Sequence, residues 1–222
     1  MAKAIKKGRF ELHHLSPSLY KEMPWKNGMG VSHEIYRDPP GQAEFKIRLS
    51  TSKIELRDVP IPFSSYPGLK RVLVVTDGGE LITNHGVIRK NEALTFDGDQ
   101  EIQAHPQSSS AAPNRVHDLN LIYDPKSFEV ETHILTVDKK PKSYSLDPLE
   151  MFFFGLDDHA KISFYPGELK LTLKKGETIH MKQTAPDPLE PSSMLVERES
   201  GGKESDATKF VFAAFGITRL LP

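Results

Sequence analysis

The stretch Phe45-Lys46-Ile47-Arg48-Leu49-Ser50 indicates the fold most clearly, because apolar and polar side chains alternate strictly along it. Successive side chains of an extended strand point to opposite faces. Phe45, Ile47 and Leu49 therefore share one face, and the three polar residues share the other. We predict a half-buried β-strand at this position.

Further strand and turn patterns extend outward from this stretch. Residues 169–174 alternate in the same way, the valine-rich run 71–76 predicts a strand buried on both faces, and the aromatic-rich residues 208–218 predict one or two strands. Glycine-containing turns such as Asp77-Gly78-Gly79 separate the segments. Short strands with frequent turns favour an all-β sandwich or barrel with little helix.

Helix is expected only locally, as a turn or so within residues 15–22, and residues 148–153 are ambiguous. Two polar stretches, 107–114 and 186–206, have too few apolar residues to favour ordering, and we expect both to be mobile surface loops. The second could serve a partner protein, but its composition favours an inert loop.

Composition limits the classes of function. The 222 residues carry 29 basic and 30 acidic side chains, a formal net charge of −1. This balance gives no general attraction to nucleic acid or to a membrane surface. No cysteine is present, which excludes disulfides and thiolate chemistry. With no signal-like or membrane-spanning apolar run, the expected location is cytoplasmic.

Familiar catalytic patterns are missing from the sequence. No His-x-His pair occurs among the nine histidines, and His13 and His14 are adjacent, so on a strand they would face opposite ways. We therefore expect no metal site and no cofactor. No nucleophile elbow, P-loop or dinucleotide-binding glycine motif occurs either.

The most distinctive stretch is Pro24-Trp25-Lys26-Asn27-Gly28, which holds the only tryptophan. The indole N–H of Trp25 is a donor, Lys26 supplies a cation, and Asn27 offers both donors and acceptors. These groups could recognise a small carboxylate or amide. Taken alone, the stretch fits equally a turn anchored by a buried tryptophan.

Other polar residues favour a pocket. Arg48 and Ser50 share the polar face of the first predicted strand, and Asp118 and Asn120 share one face of another. An arginine could pair with a carboxylate through two hydrogen bonds. The candidate ligand-binding residues are Trp25, Lys26, Asn27, Arg48, Ser50, Phe63, Ser64, Arg71, Asp97, Asp118 and Asn120.

In this order, the motifs resemble the HutD/Ves family. The matching pieces are Pro24-Trp25-Lys26-Asn27-Gly28-Met29-Gly30, Arg48-Leu49-Ser50, Pro62-Phe63-Ser64-Ser65-Tyr66-Pro67-Gly68-Leu69-Lys70-Arg71, Phe96-Asp97-Gly98-Asp99 and Asp118-Leu119-Asn120-Leu121. Met29, Tyr66 and Leu121 replace the glycine, phenylalanine and methionine of the family pattern. The match is strong over residues 20–125 and limited to β character beyond them.

The resemblance implies a cupin-like double-stranded β-helix with two barrels in one chain, a bicupin that usually has no bound metal. We expect an N-terminal barrel over residues 1–130 and a C-terminal barrel over 131–222, with strands able to swap between the halves. The family is associated with bacterial histidine utilisation, where a role in sensing intermediates such as formylglutamate has been suggested, and other members are linked to stress.

The leading hypothesis is a metal-independent protein that binds a small, carboxylate-bearing metabolite and acts in regulation. The alternative is a cupin enzyme, either a metal-dependent dioxygenase or isomerase, or a metal-free lyase or isomerase that uses Lys26 or Asp118 for proton transfer. Homodimerisation through sheet edges or faces is compatible with either hypothesis.

Overall fold

A computed structural model describes residues 4–7, 10–25, 30–56, 58–105, 115–137, 140–145, 150–157, 160–165, 169–183, 193–198 and 210–220. The strands in these residues are β1 (Ala4–Lys7), β2 (Phe10–Leu15), β3 (Lys21–Pro24), β4 (Gly30–Asp38), β5 (Ile47–Glu55), β6 (Ile61–Pro62), β7 (Lys70–Asp77), β8 (Glu80–Thr83), β9 (Gly86–Arg89), β10 (Ala93–Asp97), β11 (Gln103–His105), β12 (Arg115–Tyr123), β13 (Phe128–Val137), β14 (Lys142–Ser145), β15 (Glu150–Gly155), β16 (Ala160–Tyr165), β17 (Leu169–Leu173), β18 (Thr178–Gln183), β19 (Ser193–Arg198) and β20 (Phe210–Arg219).

The all-β prediction is confirmed. Within the described ranges, helix is limited to a three-residue 3-10 turn at Pro17–Leu19, inside the segment where a turn of helix was expected. Of the ambiguous residues 148–153, those from 150 onward belong to β15, whose six residues are all buried, and the first two lie outside the described residues. No helix in this part of the chain is long and apolar enough to cross a bilayer.

The chain forms two compact units. Unit I comprises Met1–Leu19 and Val130–Thr218, and unit II comprises Tyr20–Glu129 and Arg219–Pro222. This division differs from the expected boundary at residue 130, because β2, although near the N-terminus, pairs with a strand from the C-terminal half of the chain. It pairs antiparallel with β18, from Phe10 opposite Gln183 to Leu15 opposite Thr178, and these backbone hydrogen bonds place it in unit I.

Unit II contains a six-stranded sheet in the order β10-β7-β12-β5-β4-β3 and a four-stranded sheet in the order β6-β11-β8-β9. Its core is a cluster of buried aliphatic side chains. Ile54, Leu73 and Val116 come from the large sheet, while Leu81 and Ile88 come from the small one. Burial of these apolar faces against each other holds the two sheets together.

Unit I also contains a six-stranded sheet, in the order β1-β2-β18-β15-β20-β13, and a four-stranded sheet, in the order β14-β19-β16-β17. Its core is more aromatic. Phe10, Phe153 and Phe212 are buried together with Met181 and Val196. Two of these aromatic residues lie on β15 and β20, which pair along their length, so the large rings sit at the centre of the sheet.

One of the two loop predictions is wrong in part. Within residues 186–206 the structure contains β19, which pairs with both β14 and β16. Met194 and Val196 of this strand are buried in the core of unit I, and their alternation supplies an apolar face that the proline- and serine-rich composition obscures. The other predicted loop, residues 107–114, lies outside the described residues.

The central strands of unit II are buried on both faces. The valine-rich β7 is buried from Arg71 to Thr76, as predicted. The strand around Arg48 was expected to be half-buried, and this expectation is wrong. Residues 47–50 are all buried, so the polar face of β5 lies inside the protein.

Candidate functional site

A polar cavity in unit II begins with the register of β5 against β12. Ser52 lies opposite Asp118, Ser50 opposite Asn120, and Arg48 opposite Ile122. Residues at alternate positions share a sheet face, so these side chains continue the face that carries the aliphatic core. One inner face is therefore apolar along part of its length and polar along the rest.

The cavity has a volume of about 370 Å³, within the range of small-molecule sites. Eight of the eleven candidate residues line it, namely Trp25, Arg48, Ser50, Phe63, Ser64, Arg71, Asp118 and Asn120. Asp97 does not, because it is exposed at the end of β10. Lys26 and Asn27 lie outside the described residues.

Trp25 stands at the start of a hydrogen-bond chain. Its Nε1 donates to Ser32 Oγ at 2.8 Å, and Ser32 Oγ lies 2.9 Å from Ser52 Oγ. The indole packs directly over Gly30, where an added Cβ would lie 2.8 to 3.0 Å from ring atoms. Glycine is thus needed at position 30 because the ring occupies the space of a side chain.

Asp118 lies at the end of this chain. Its side chain is buried, and burial raises its pKa to about 7, although the charge of Arg71 and hydrogen bonds from the Ser52 side chain and backbone act in the opposite direction. Asp118 Oδ1 has no hydrogen-bond partner among the described residues, and the same holds for Asn120 Oδ1. Two acceptors on one face of β12 are thus left unsatisfied.

Arg71 is a buried cation held mainly by aromatic rings. Its guanidinium carbon lies 5.0 Å from the ring centre of Phe96 and 5.5 Å from those of Phe63 and Tyr66. One terminal nitrogen donates to the carbonyl of Ser64 at 3.0 Å. In the described residues its Nε has no hydrogen-bond partner. Burial lowers its pKa, and the charge of Asp118 opposes that shift.

Arg48, in contrast, has a close counter-ion. Its Nε lies 3.1 Å from Glu34 Oε2, at an angle that makes the contact Coulombic rather than a hydrogen bond. The same oxygen accepts a hydrogen bond from Arg37 Nε at 2.8 Å. Arg48 also approaches the hydroxyl of Tyr66 at 3.3 Å. Glu34 therefore bridges two arginines and fixes Arg48 at the cavity wall.

Several lining residues were missed by the sequence analysis. Ser52 follows Arg48 and Ser50 at the same spacing of two, so extending the predicted strand by two residues would have placed it on the same face. Ser32 on β4 also lines the cavity, but it does not belong to the motifs that were singled out. The other unpredicted lining residues are Met23, Pro24, Ser65, Tyr66 and Ile122.

The cavity does not have the donor set of a cupin metal centre. Such sites use imidazole and carboxylate ligands, whereas the lining contains two guanidinium groups, hydroxyls and one carboxyl group. Over the described ranges, no cluster of three or more histidine, aspartate or glutamate residues could hold a metal ion. The residues at this site therefore do not fit a metal.

Comparison with known proteins identifies the family. The HutD family model matches residues 18–196. The chain belongs to the HutD family. A relative from Pseudomonas putida, described as an uncharacterized 21.2 kDa protein in the hutC 3' region, is 28% identical over 166 residues, which cover 72% of this chain and 82% of the relative.

Several solved structures share the fold of this chain. A conserved protein of unknown function from Pseudomonas aeruginosa PAO1 is 22% identical with a TM-score of 0.75, covering 93% of this chain and 98% of its own. HutD from Pseudomonas fluorescens SBW25, solved in a formate condition, is 21% identical with a TM-score of 0.69, covering 94% and 99%. A cupin 2 conserved barrel domain protein from Leptotrichia buccalis has a TM-score of 0.50 at 14% identity, covering 88% and 92%. The HutD-family fold is thus all-β and cupin-like.

Proposed function

We propose that unit II binds a small, carboxylate-bearing metabolite in its polar cavity. The observation that carries the proposal is Arg71, a buried guanidinium in the cavity wall without a carboxylate in ion-pair contact among the described residues. A buried charge is costly unless it is paired, so an anionic ligand would complete this site. Aromatic rings around the guanidinium shape the site but supply no negative charge.

The cavity walls support recognition of one small anion. Serine hydroxyls and the Asn120 amide surround Arg71, while Trp25, Phe63 and Ile122 supply apolar surface. A few oriented polar groups among apolar walls are typical of metabolite sites. The volume of about 370 Å³ fits a molecule the size of a formylglutamate-like acid rather than a polymer.

A regulatory role in histidine utilisation is the biological context that we propose for this binding. A relative is described by its position beside hutC, and the family takes its name from the same pathway. The cavity lining contains no imidazole and one carboxyl group among the described residues, so we propose binding without a metal. A protein that binds a pathway acid in a preformed cavity could report the concentration of that acid.

A second candidate function, metal-free proton transfer, is favoured by Asp118. A buried carboxyl group with a pKa of about 7 can exchange a proton at neutral pH, which is the property of a general acid or base. A lyase or isomerase acting through this group would convert its ligand during incubation. Analysis of the bound acid by NMR separates the two functions, since a binding protein returns it unchanged.

We also propose that both units are cupin-like barrels, which would make the chain a bicupin. Each unit contains one six-stranded and one four-stranded sheet around its own core. Superposing the two units would test this, because repeated barrels should align strand by strand in the same order. The arginine-lined cavity described above lies in unit II.

The proposed binding can be tested with a panel of acids. Formate, glutarate, glutamate, N-formylglutamate and N-acetylglutamate would be compared by thermal shift with their uncharged amides. A bound acid at 100 times its Kd should stabilise the protein by about 2.7 kcal/mol. The proposal fails if no acid raises the melting temperature more than its amide does.

Substitution of Arg71 locates the site. Arg71→Lys keeps the charge but loses the planar donors, and we expect binding to weaken about 10- to 100-fold. Arg89→Gln is the control, because Arg89 is an exposed residue of β9 outside the cavity, with 68% of its side chain accessible. Equal binding by both variants would show that the acid lies elsewhere.

A further inference from the structure

Asp118 is the only carboxyl group among the described residues that line the cavity, and its two oxygens differ. The side chain and backbone of Ser52 both donate hydrogen bonds to the carboxyl group. Oδ1 has no hydrogen-bond partner among the described residues. It is thus a buried oxygen that is open to a proton.

The hydrogen-bond chain from Trp25 begins with a fixed donor. An indole N–H can only donate, so Ser32 accepts from it at Oγ. Ser32 Oγ lies 2.9 Å from Ser52 Oγ, and Ser52 in turn bonds to Asp118. Because Oδ1 is the buried oxygen of Asp118 without a partner among the described residues, it is the place for a proton bound by Asp118.

Charged and titratable groups at the cavity come from several elements. Arg71 on β7, Arg48 on β5 and Tyr66 in the segment before β7 line it together with Asp118, while Glu34 on β4 contacts Arg48 and Arg37. Among these, Arg71 is the cation that stabilises ionised Asp118. Glu34 already bridges the other two arginines. The charge state of Asp118 therefore depends on what Arg71 is paired with.

We infer that an acid bound at Arg71 enters together with one proton, which is held on Asp118 Oδ1. This inference rests on the proposed function. A ligand carboxylate at Arg71 neutralises the cation that favours ionised Asp118 and places a second negative charge in the same cavity. Two like charges at one site strongly raise the pKa of one of them. The neutral acid avoids that repulsion, and its proton occupies the oxygen that has no partner among the described residues.

Proton uptake can be measured directly by titration calorimetry. The panel acid with the lowest Kd would be titrated into the full-length protein in two non-carboxylate buffers with different ionisation enthalpies. Because Asp118 is mostly ionised near pH 8 in the free protein, we expect uptake of about one proton per ligand there and close to none near pH 5.5. Affinity should fall up to about tenfold per pH unit above neutrality.

Asp118→Asn gives the sharpest comparison, since its amide is a permanently neutral copy of the protonated acid. We expect proton uptake near pH 8 to fall to zero in this variant. Its affinity for the acid at that pH should exceed that of the wild type. Asp97→Asn is the matched control, because it makes the same change at an exposed position outside the cavity lining and should keep the wild-type uptake.

Ser52→Ala supplies a second variant if Asp118→Asn does not fold. Loss of the Ser52 hydroxyl removes a hydrogen bond that lowers the pKa of Asp118, so more of the free protein is protonated and uptake near pH 8 should decrease. Binding by the wild type without uptake, or with proton release, would overturn the inference while leaving the proposed function intact. Absence of any binding would overturn both.

Discussion

Trp25 Nε1 donates a hydrogen bond of 2.8 Å to Ser32 Oγ, and this bond indicates the structural role of the tryptophan. The ring packs on Gly30 and meets Phe63 edge-on, with ring centres 6.3 Å apart and planes at 78°. Trp25 is therefore part of the cavity wall and also a brace, since it orients the hydroxyls that lead to Asp118. An exposed lid would make neither contact.

The first prediction concerns the space beneath this ring. Gly30→Ala places a methyl group 2.8 to 3.0 Å from the indole, so we expect the ring to move and the protein to lose about 1–3 kcal/mol of unfolding free energy. Because Trp25 is the sole tryptophan, its fluorescence emission should shift to longer wavelength.

A double-mutant cycle supplies the control for Gly30. In a Trp25→Ala background the methyl group meets no ring, so Gly30→Ala should cost clearly less than in the wild type. Equal costs in the two backgrounds, measured by urea unfolding, would mean that the ring does not occupy this space.

The second prediction concerns the start of the hydrogen-bond chain. Trp25→Phe keeps an aromatic ring but removes the indole donor, leaving Ser32 with Ser52 as its partner. We expect a loss of about 1 kcal/mol, the usual net worth of one hydrogen bond, plus a smaller packing loss. Urea unfolding followed by circular dichroism measures it, and an unchanged midpoint would contradict the chain.

The third prediction concerns the carboxylate between two arginines. Glu34 is 11% exposed and contacts both Arg37 and Arg48, so Glu34→Gln leaves two largely buried cations without their shared counter-ion. We expect a loss of about 3 kcal/mol. The matched change Glu92→Gln removes an exposed partner of Arg89 at 3.9 Å and should cost less than about 1 kcal/mol. Similar costs for the two variants would argue against a buried bridge.

The fourth prediction is the pH dependence of stability. Asp118 has a folded pKa of about 7, raised above the unfolded value, so the folded protein binds more protons than the unfolded one between about pH 4 and 7. Unfolding free energy should therefore fall as pH rises through this window and level off above it. The total contribution is on the order of a few kcal/mol.

Asp118→Asn tests the origin of that slope. The variant cannot ionise at this position, so its stability should depend less on pH over the same window and exceed that of the wild type near pH 8. Denaturant unfolding at several pH values is the measurement, with Asp97→Asn as the exposed control. A slope unchanged in Asp118→Asn would show that other groups cause it.

The fifth prediction compares two glycines with positive φ. Gly78, at φ +87°, has the Arg115 carbonyl oxygen where a Cβ would lie, whereas Gly86, at φ +126°, has open space. Gly86→Ala should cost about 1 kcal/mol through backbone strain alone. Gly78→Ala should cost about 1–3 kcal/mol more, because β12 must also shift. Equal melting temperatures for the two variants would contradict the close approach.

The sequence alone determined the fold class and most of the cavity lining. Alternation along residues 47–50 fixes which side chains share a face of β5, because side-chain direction in a strand is a local property. The same rule placed Asp118 and Asn120 together on β12. The order of motifs identified the family, although Asp97, which belongs to one of them, lies outside the cavity lining.

Tertiary structure alone decided which face is buried and what the polar groups meet there. Alternation predicts an outward polar face equally well, but β5 lies between β4 and β12, and its polar face lines the cavity. The pairing of Ser52 with Asp118 depends on register between strands that are distant in sequence. The raised pKa of Asp118 follows from burial, which no local pattern specifies, because desolvation depends on all the atoms that surround the group.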